Sequence, residues 1–238
     1  MMNLNQAVVL ITGANRGLGL AFAKEALTRG AKKVYAAARN PASIQLEGVV
    51  PVQLDVTSAA EVQRVAQELG DVTLLINNAG VAETGPILGD NAVDMIQRQL
   101  EVNLYGPLRL SQAFAPVLKA NGGGAIVNVL SIASWITGPL LATYSVTKSA
   151  AWSMTNALRQ ELAAQHTQVL ALHVGFIDTD LTKGMEVPKV TPEFVVQRTY
   201  QGLEQGASQV LADEPTQQVH AALSGYPDIY LNALPQHG

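Results

Sequence analysis

Short apolar runs alternate with longer helical patterns along most of this chain, and no other feature restricts its possible folds as strongly. The apolar runs are nearly continuous, as in strands buried on both faces of a parallel sheet. They occupy residues 7–11, 33–38, 49–54, 73–76, 125–130 and 169–174, with a shorter seventh candidate at 208–212. The helical patterns occupy residues 18–29, 59–69, 91–119, 144–165 and 191–205. This alternation predicts βαβ units, and hence an α/β fold with a doubly wound, mostly seven-stranded parallel sheet and helices on both faces.

The length and continuity of the chain predict one domain. Its 238 residues fit a single domain of the larger α/β kind. We find no linker, low-complexity stretch or internal repeat, so the predicted domain spans 1–238. After residue 213 the pattern begins helix-like and then becomes irregular, which predicts an irregular C-terminal tail over about 213–238.

Composition excludes several classes of function. The formal net charge of −4 and the pI of about 5.5 argue against a nucleic-acid partner, which requires a basic face. The chain has no cysteine, which excludes disulfides and thiolate chemistry, and no His, Asp or Glu cluster has metal-ligand spacing. No apolar run reaches the length of a membrane span and the N-terminus does not resemble a signal peptide, so we expect a soluble cytoplasmic protein.

Charged residues are scarce in this sequence. They make up 14% of the chain, against about a quarter in typical globular domains. A monomer of this size normally carries more charge on its surface. We therefore expect part of the surface to be buried in a contact between identical subunits.

A glycine-rich segment, TGANRGLG at residues 12–19, follows the first predicted strand directly. Gly13, Gly17 and Gly19 then lie at the turn into the first helix, where glycine allows a tight turn and a close approach to a ligand. The N-terminus of that helix is a ready site for a pyrophosphate. This position predicts a Rossmann-type dinucleotide site, although glycines also occur in turns for their geometry alone.

The end of the second predicted strand bears on the choice of cofactor. Dinucleotide folds that bind NAD place an acidic residue about 20 positions after the glycines, where it holds the ribose 2′-hydroxyl. This chain has Ala38 and Arg39 there, and Arg16 lies within the glycine turn. Arginine suits a 2′-phosphate, so NADP(H) is the predicted cofactor in preference to NAD(H). The alternative is that both are ordinary solvated arginines.

Two further segments follow predicted strands at the same edge of the sheet. Asp55 ends the third strand, where a carboxylate can accept a hydrogen bond from the adenine amino group; it can also cap the next helix, although Ser58 is better placed for that. The sequence NNAG at 77–80 follows the fourth strand. Such residues form plain loops, but this loop borders the ligand crevice of a doubly wound sheet.

Tyr144 and Lys148 lie four residues apart in ATYSVTKSA, on one face of a predicted helix. The pair is either a structural polar contact or a proton donor with a neighbouring cation. Taken together, the glycine turn, the NNAG loop, Ser131, Tyr144 and Lys148 resemble the short-chain dehydrogenase/reductase family. The resemblance runs from about residue 7 to 185, and the interval of 13 residues from Ser131 to Tyr144 is the usual one in that family.

The resemblance implies a role for each catalytic residue. Asn103 would hold a water that links the lysine to solvent; the alternative is a buried asparagine that bends its helix. Ser131 would bind the substrate oxygen, and Tyr144 would act as general acid in reduction and general base in oxidation. Lys148 would lower the pKa of Tyr144 and bind the nicotinamide ribose. The implied cofactor contacts are Gly13, Asn15, Arg16, Gly17, Leu18, Gly19, Arg39, Asp55, Val56, Asn78, Ala79, Gly80, Tyr144, Lys148, Gly175, Ile177 and Thr179.

The sequence departs from the family pattern at two places. Val174 stands where relatives usually have a proline before Gly175, which removes a rigid turn beside the nicotinamide. The seventh strand runs into DEPTQQVHAAL instead of a glycine-containing turn, so the resemblance does not extend to the subunit contacts that relatives make there.

The resemblance also implies a short substrate lid at about 180–190 and a largely apolar substrate pocket. Its expected residues are Trp135, Leu140, Phe176, Leu181 and Met185. The sequence therefore predicts an NADP(H)-dependent oxidoreductase that interconverts a hydrophobic aldehyde or ketone and its alcohol. The alternatives are a catalytically silent NADP(H)-binding sensor and a sugar epimerase or dehydratase of the same superfamily. His173 borders the site and is interpreted as a packing residue.

Overall fold

A computed structural model of the chain describes residues 2–225. Seven strands form one sheet, and every neighbouring pair is parallel. The strands are β1 Val8–Thr12, β2 Lys33–Ala38, β3 Val50–Gln53, β4 Leu74–Asn77, β5 Gly124–Val129, β6 Thr167–His173 and β7 Gln209–Leu211. Their order in the sheet is β3-β2-β1-β4-β5-β6-β7, so the predicted fold class, including the seventh strand, is confirmed.

Helices cover both faces of this sheet. They are α1 Gly17–Thr28, α2 Ala59–Glu68, α3 Ala92–Leu100, α4 Gly106–Ala120, α5 Ala142–Glu161, α6 Pro192–Glu204 and α7 Glu214–Ala222. One buried apolar cluster joins the sheet to α1 and α6, and a second joins it to α2, α4 and α5. The helix-like start of the predicted tail is α7. The rest of the single-domain and tail predictions reaches residues 226–238, which lie outside the described residues.

Burial on both faces explains why the strand sequences are nearly continuously apolar. In β1, Val9 and Ile11 pack into the first cluster and Val8 and Leu10 into the second. The strand β3 differs, because it lies at the edge of the sheet and buries only Val52. A proline within this strand, Pro51, is compatible with an edge position.

The helix predicted over 91–119 is not one regular α-helix. A π-helical segment, Glu101–Tyr105, separates α3 from α4, and Asn103 at its centre is buried. The side-chain amide of Asn103 forms two hydrogen bonds with the backbone of Val81, in the loop after β4. Its Oδ1 accepts from the Val81 N–H group, and its Nδ2 donates to the Val81 carbonyl oxygen. The alternative interpretation of Asn103, a buried asparagine that distorts its helix, therefore matches this structure.

The order of the strands determines where a ligand can bind. The chain moves outward from β1 through β2 to β3, and then crosses back to place β4 on the other side of β1. The connections after β1 and β4 consequently diverge to opposite faces of the sheet. This divergence leaves a crevice at the carboxyl ends of the two strands, next to Thr12 and Asn77.

Candidate active site

A cavity of about 630 Å³ occupies this crevice. It is lined by the loops that follow the strands, and all of the residues predicted to contact the cofactor lie along it. They are Gly13, Asn15, Arg16, Gly17, Leu18, Gly19, Arg39, Asp55, Val56, Asn78, Ala79, Gly80, Tyr144, Lys148, Gly175, Ile177 and Thr179. Ser131 lines the same cavity. The structure therefore brings the cofactor residues and the serine, tyrosine and lysine of the predicted catalytic set to one place.

The glycine turn leaves no room for side chains at its centre. Gly13 has a φ of 65°, in the left-handed region that favours glycine. A Cβ atom on Gly19 would overlap the carbonyl oxygen of Gly13 and lie 2.6 Å from Nδ2 of Asn78. The helix α1 begins at Gly17 without a capping side chain, so its first N–H groups are available to an anionic ligand. These features fit a dinucleotide pyrophosphate.

The NNAG loop holds the glycine turn in position as well as lining the cavity. Nδ2 of Asn78 donates to the carbonyl oxygen of Thr12 at 2.8 Å. The hydroxyl of Thr12 in turn accepts hydrogen bonds from the backbone N–H groups of Asn78 and Ala79, both at 3.0 Å. The loop thus supports the glycine turn and also lines the cavity, and its contact with a bound cofactor stays a prediction. Thr12 was not among the predicted site residues; its signal is a hydroxyl at the end of an otherwise apolar buried strand.

Charged residues that bear on the choice of cofactor line this cavity. Arg16 forms an exposed ion pair with Asp180, with Nη1 and Oδ2 3.0 Å apart, and Arg39 is exposed beside Asp55. Hydrogen bonds from the backbone N–H and the hydroxyl of Thr57, together with the Arg39 charge, lower the pKa of Asp55. Ser58 caps α2, as expected. Asp180 was not predicted, because 164 residues separate it from Arg16.

The other end of the cavity carries the predicted catalytic side chains. Tyr144 and Lys148 lie one turn apart on α5, and Ser131 follows β5 at the start of a short 3-10 turn, 132–134. Lys148 is buried and its Nζ donates to the carbonyl oxygen of Val129 at 2.8 Å. The same nitrogen lies 5.6 Å from the centre of the Tyr144 ring. Ser131, Tyr144 and Lys148 all line the cavity.

Burial shifts the pKa values of both Tyr144 and Lys148. It raises the pKa of Tyr144, and the Ser131 hydroxyl opposes that shift. It lowers the pKa of Lys148 to about 8. Both shifts have the same physical cause, since removal from water disfavours the charged form of each side chain. The implied effect of Lys148 on the pKa of Tyr144 stays a prediction.

Asn103 does not line the cavity. Besides its two bonds to Val81, its Nδ2 donates to the Thr147 hydroxyl at 3.0 Å. Its side chain thus connects the loop after β4 to α5, one residue before Lys148. The implied role of Asn103 in holding a water stays a prediction.

One of the five expected substrate-pocket residues, Leu181, lines the cavity. Trp135, Leu140, Phe176 and Met185 do not. Leu140 is 71% exposed. Trp135 stacks on His173 with ring centres 4.0 Å apart and also packs against Trp152 and His220, so these aromatic contacts hold it away from the cavity wall.

His173 does more than pack against Trp135. It is fully buried at the end of β6, and its Nδ1 lies 3.1 Å from the carbonyl oxygen of Ser131. Because a carbonyl accepts only, Nδ1 carries the proton and donates. Burial lowers the pKa of His173 to about 4, so the ring is neutral at neutral pH.

Neither a metal-binding cluster nor a membrane-spanning helix is found within residues 2–225. In that part of the chain no group of three or more His, Asp or Glu side chains is arranged to hold a metal ion. Among the helices described there, none is both long enough and apolar enough to cross a membrane.

Comparison with known protein sequences points to one family. A family model described as short chain dehydrogenase matches residues 7–188. The oxidoreductase BOA17 of Botryotinia fuckeliana is 36% identical over 196 residues, which are 77% of this chain and 71% of that protein.

Solved structures give the same result. A short chain dehydrogenase from Burkholderia cenocepacia J2315, crystallised in complex with NADP, is 37% identical and has a TM-score of 0.91. The match covers 94% of this chain and 95% of that chain. A short chain dehydrogenase/reductase from Burkholderia phymatum in complex with NAD has a TM-score of 0.84, with 99% and 100% of the two chains covered. At 24% identity the second similarity shows the fold alone.

Proposed function

The chain belongs to the short-chain dehydrogenase family of oxidoreductases, and we propose that it interconverts a hydrophobic aldehyde or ketone and its alcohol with NADP(H). The observation that supports this proposal is that Ser131, Tyr144 and Lys148 line one cavity, with the Lys148 amine 5.6 Å from the centre of the Tyr144 ring. Among the cavity residues within 2–225, Lys148 is the only buried cation.

The proposed mechanism assigns binding and proton transfer to the protein. A bound nicotinamide supplies or accepts the hydride. Ser131 and Tyr144 donate hydrogen bonds to the carbonyl oxygen, where negative charge grows during reduction. Tyr144 then transfers its phenolic proton to that oxygen. Its raised pKa keeps the phenol protonated at neutral pH, which suits the acid role in reduction.

Lys148 and the glycine turn would hold the cofactor. The amine of Lys148 donates one hydrogen bond to the Val129 carbonyl, which holds it close to Tyr144. Its remaining N–H groups can bind the nicotinamide ribose. The space left by Gly13 and Gly19 would accept the pyrophosphate at the start of α1. Asp55, next to Arg39, would border the adenine end.

Arg16 and Arg39 support the proposed preference for NADP(H) over NAD(H). Both line the cavity, Arg39 directly after β2, and no acidic residue stands at position 38 or 39. A 2′-phosphate would have to compete with Asp180 for Arg16. The pair is exposed, so its opening costs at most about 1 kcal/mol, less than the roughly 1.5–3 kcal/mol of a hydrogen bond to a charged group.

Apolar side chains support the proposed hydrophobic substrate. Val81, Leu130 and Leu181 are among the side chains that line the cavity. Such a lining with a few polar groups favours an apolar carbonyl compound over a sugar. We also propose a cytoplasmic location and a dimeric or tetrameric assembly of identical subunits.

One assay tests the proposed activity. Oxidation of NADPH and of NADH would be followed by absorbance with a panel of apolar, charged and sugar-derived aldehydes and ketones. We expect faster turnover with NADPH and with apolar carbonyls. Equal rates with both cofactors would refute the arginine argument, and a preference for charged or sugar substrates would refute the apolar pocket.

The variant Tyr144→Phe tests the mechanism in the same assay. Loss of the phenolic proton should lower kcat by about 10²–10⁴-fold, because general acid catalysis contributes that much, while NADPH binding persists. Full activity in Tyr144→Phe would exclude the proposed acid. Tight NADPH binding by the wild-type protein without turnover of any carbonyl would favour the sensor function instead.

A further inference from the structure

Asp213 lies between β7 and α7 and is almost fully buried. One carboxylate oxygen, Oδ1, accepts the backbone N–H of Thr216 at 2.8 Å and caps α7. The other, Oδ2, accepts the backbone N–H of Gly175 at 2.6 Å. A single carboxylate thus joins the start of α7 to the loop that follows β6.

The loop held by Asp213 forms one wall of the proposed nicotinamide site. Residues 174–182 connect β6 to the lid region, and Gly175, Ile177 and Thr179 line the cavity. A valine precedes Gly175, and a valine does not fix the backbone as a proline would. The charge-assisted bond from Gly175 to Asp213 supplies a restraint at that same point of the chain.

The helix α7 also contacts the opposite wall of the site. His220, in its last turn, packs against Trp135, with ring centres 5.1 Å apart. Trp135 stacks on His173, whose Nδ1 binds the Ser131 carbonyl. One helix at the C-terminal end of the described chain is therefore connected to both the cofactor loop and the catalytic serine.

We propose that Asp213 is a positioning residue that holds the loop 174–182 in place for the nicotinamide half of the cofactor. The inference rests on the proposed function. The competing explanation is that Asp213 only caps α7. The two explanations differ in what they predict for cofactor binding, because α7 itself does not line the cavity.

The test uses Asp213→Asn and Asp213→Ser, since asparagine and serine cap helices about as well as aspartate. Both keep the cap of α7 and remove the carboxylate oxygen facing Gly175. The matched control is Glu214→Gln, which removes a negative charge from the adjacent, exposed position. Fluorescence titration would compare NADPH with 2′-phospho-ADP-ribose, which lacks the nicotinamide, and steady-state assays would give kcat and KM.

We expect both Asp213 variants to bind NADPH about 10-fold more weakly or worse, because a hydrogen bond to a charged group is lost. Their affinity for 2′-phospho-ADP-ribose should stay at the wild-type value, and kcat should fall. Adding Val174→Pro to Asp213→Asn should restore part of the NADPH affinity. The control Glu214→Gln should match the wild type throughout.

Unchanged NADPH affinity and kcat in both variants would overturn the inference and leave only the cap. An equal loss of affinity for both ligands would also overturn it. Hydrogen–deuterium exchange on the wild-type protein provides a measurement that needs no variant: rapid exchange of the Gly175 amide would contradict the bond. Failure of the proposed function is separate, because it would appear as absent NADPH turnover in the wild-type protein.

Discussion

Lys148 is a buried amine whose charge depends on pH within an accessible range. Burial lowers its pKa to about 8 from an ordinary value of 10.5. Between these two pH values the unfolded chain binds the proton and the folded chain does not. The free energy of unfolding therefore increases as the pH rises from about 8 towards 10.5, by about 3 kcal/mol at most. Below pH 8 the cost of burying the charged amine applies in full.

Unfolding in urea at pH 7.5, 8.5 and 9.5 would measure this effect, with Lys148→Met as the matched variant. The free energy of unfolding of the wild type, minus that of Lys148→Met, should increase over this interval. The interval ends below the ordinary pKa of tyrosine, so that tyrosine ionisation in the unfolded chain does not interfere. A difference that stays constant or decreases with pH would contradict a depressed pKa of Lys148.

Residue identities at the site were predictable, but their long-range contacts were not. Ser131, Tyr144 and Lys148 could be found because their types and intervals follow a family pattern. The contact of Asp213 with Gly175 spans 38 residues and that of His173 with Ser131 spans 42, and neither leaves a local pattern. The direction of the Tyr144 shift depends on burial, which a sequence does not state.

The turn between β1 and α1 works as one unit with the loop after β4. Gly19 approaches Gly13 so closely that any side chain must displace backbone. We expect Gly19→Ala to abolish NADPH binding or unfold the protein, because the Cβ would push apart Gly13 and Asn78. Thermal unfolding and NADPH titration would measure both effects.

The control for this change is Gly70→Ala, at an exposed position where an added Cβ meets no atom within 4 Å. It should leave NADPH affinity unchanged and the melting temperature nearly so. Wild-type behaviour of Gly19→Ala would show that the turn can open without cost, contrary to its packing here.

The element types were predictable from periodicity, whereas the bonds of Thr12 to Asn78 and Ala79 depend on the order of the strands.

At the scale of the whole molecule, several apolar side chains on α3, on α5 and in the π-helical segment are exposed. Val93 on α3, Tyr105 in the π-helical segment and Val146 on α5 are 67%, 40% and 41% exposed. This exposure supports a contact between subunits along these helices. We expect the wild type to elute well above its chain mass of 25.2 kDa, and Val146→Lys to shift the population towards monomer.

Light scattering coupled to size-exclusion chromatography would measure the mass of each species. The matched control is Val50→Lys on the edge strand β3, where the exposed fraction is similar at 44%. This variant should keep the wild-type mass. A monomeric wild type would refute the predicted assembly, and equal dissociation of both variants would place the contact elsewhere.

The π-helical segment has a consequence for how the long helix meets the sheet. The buried positions 95 and 99 in α3, 103 in this segment and 107 in α4 are separated by three successive steps of four residues. In a regular α-helix each such step drifts by about 40° around the axis, so the buried stripe would turn by roughly 120° from α3 to α4. The wider turn at Glu101–Tyr105 absorbs this phase error. Deleting one residue from this segment would restore regular α-helical hydrogen bonds, but it would turn the buried face of α4 away from the sheet.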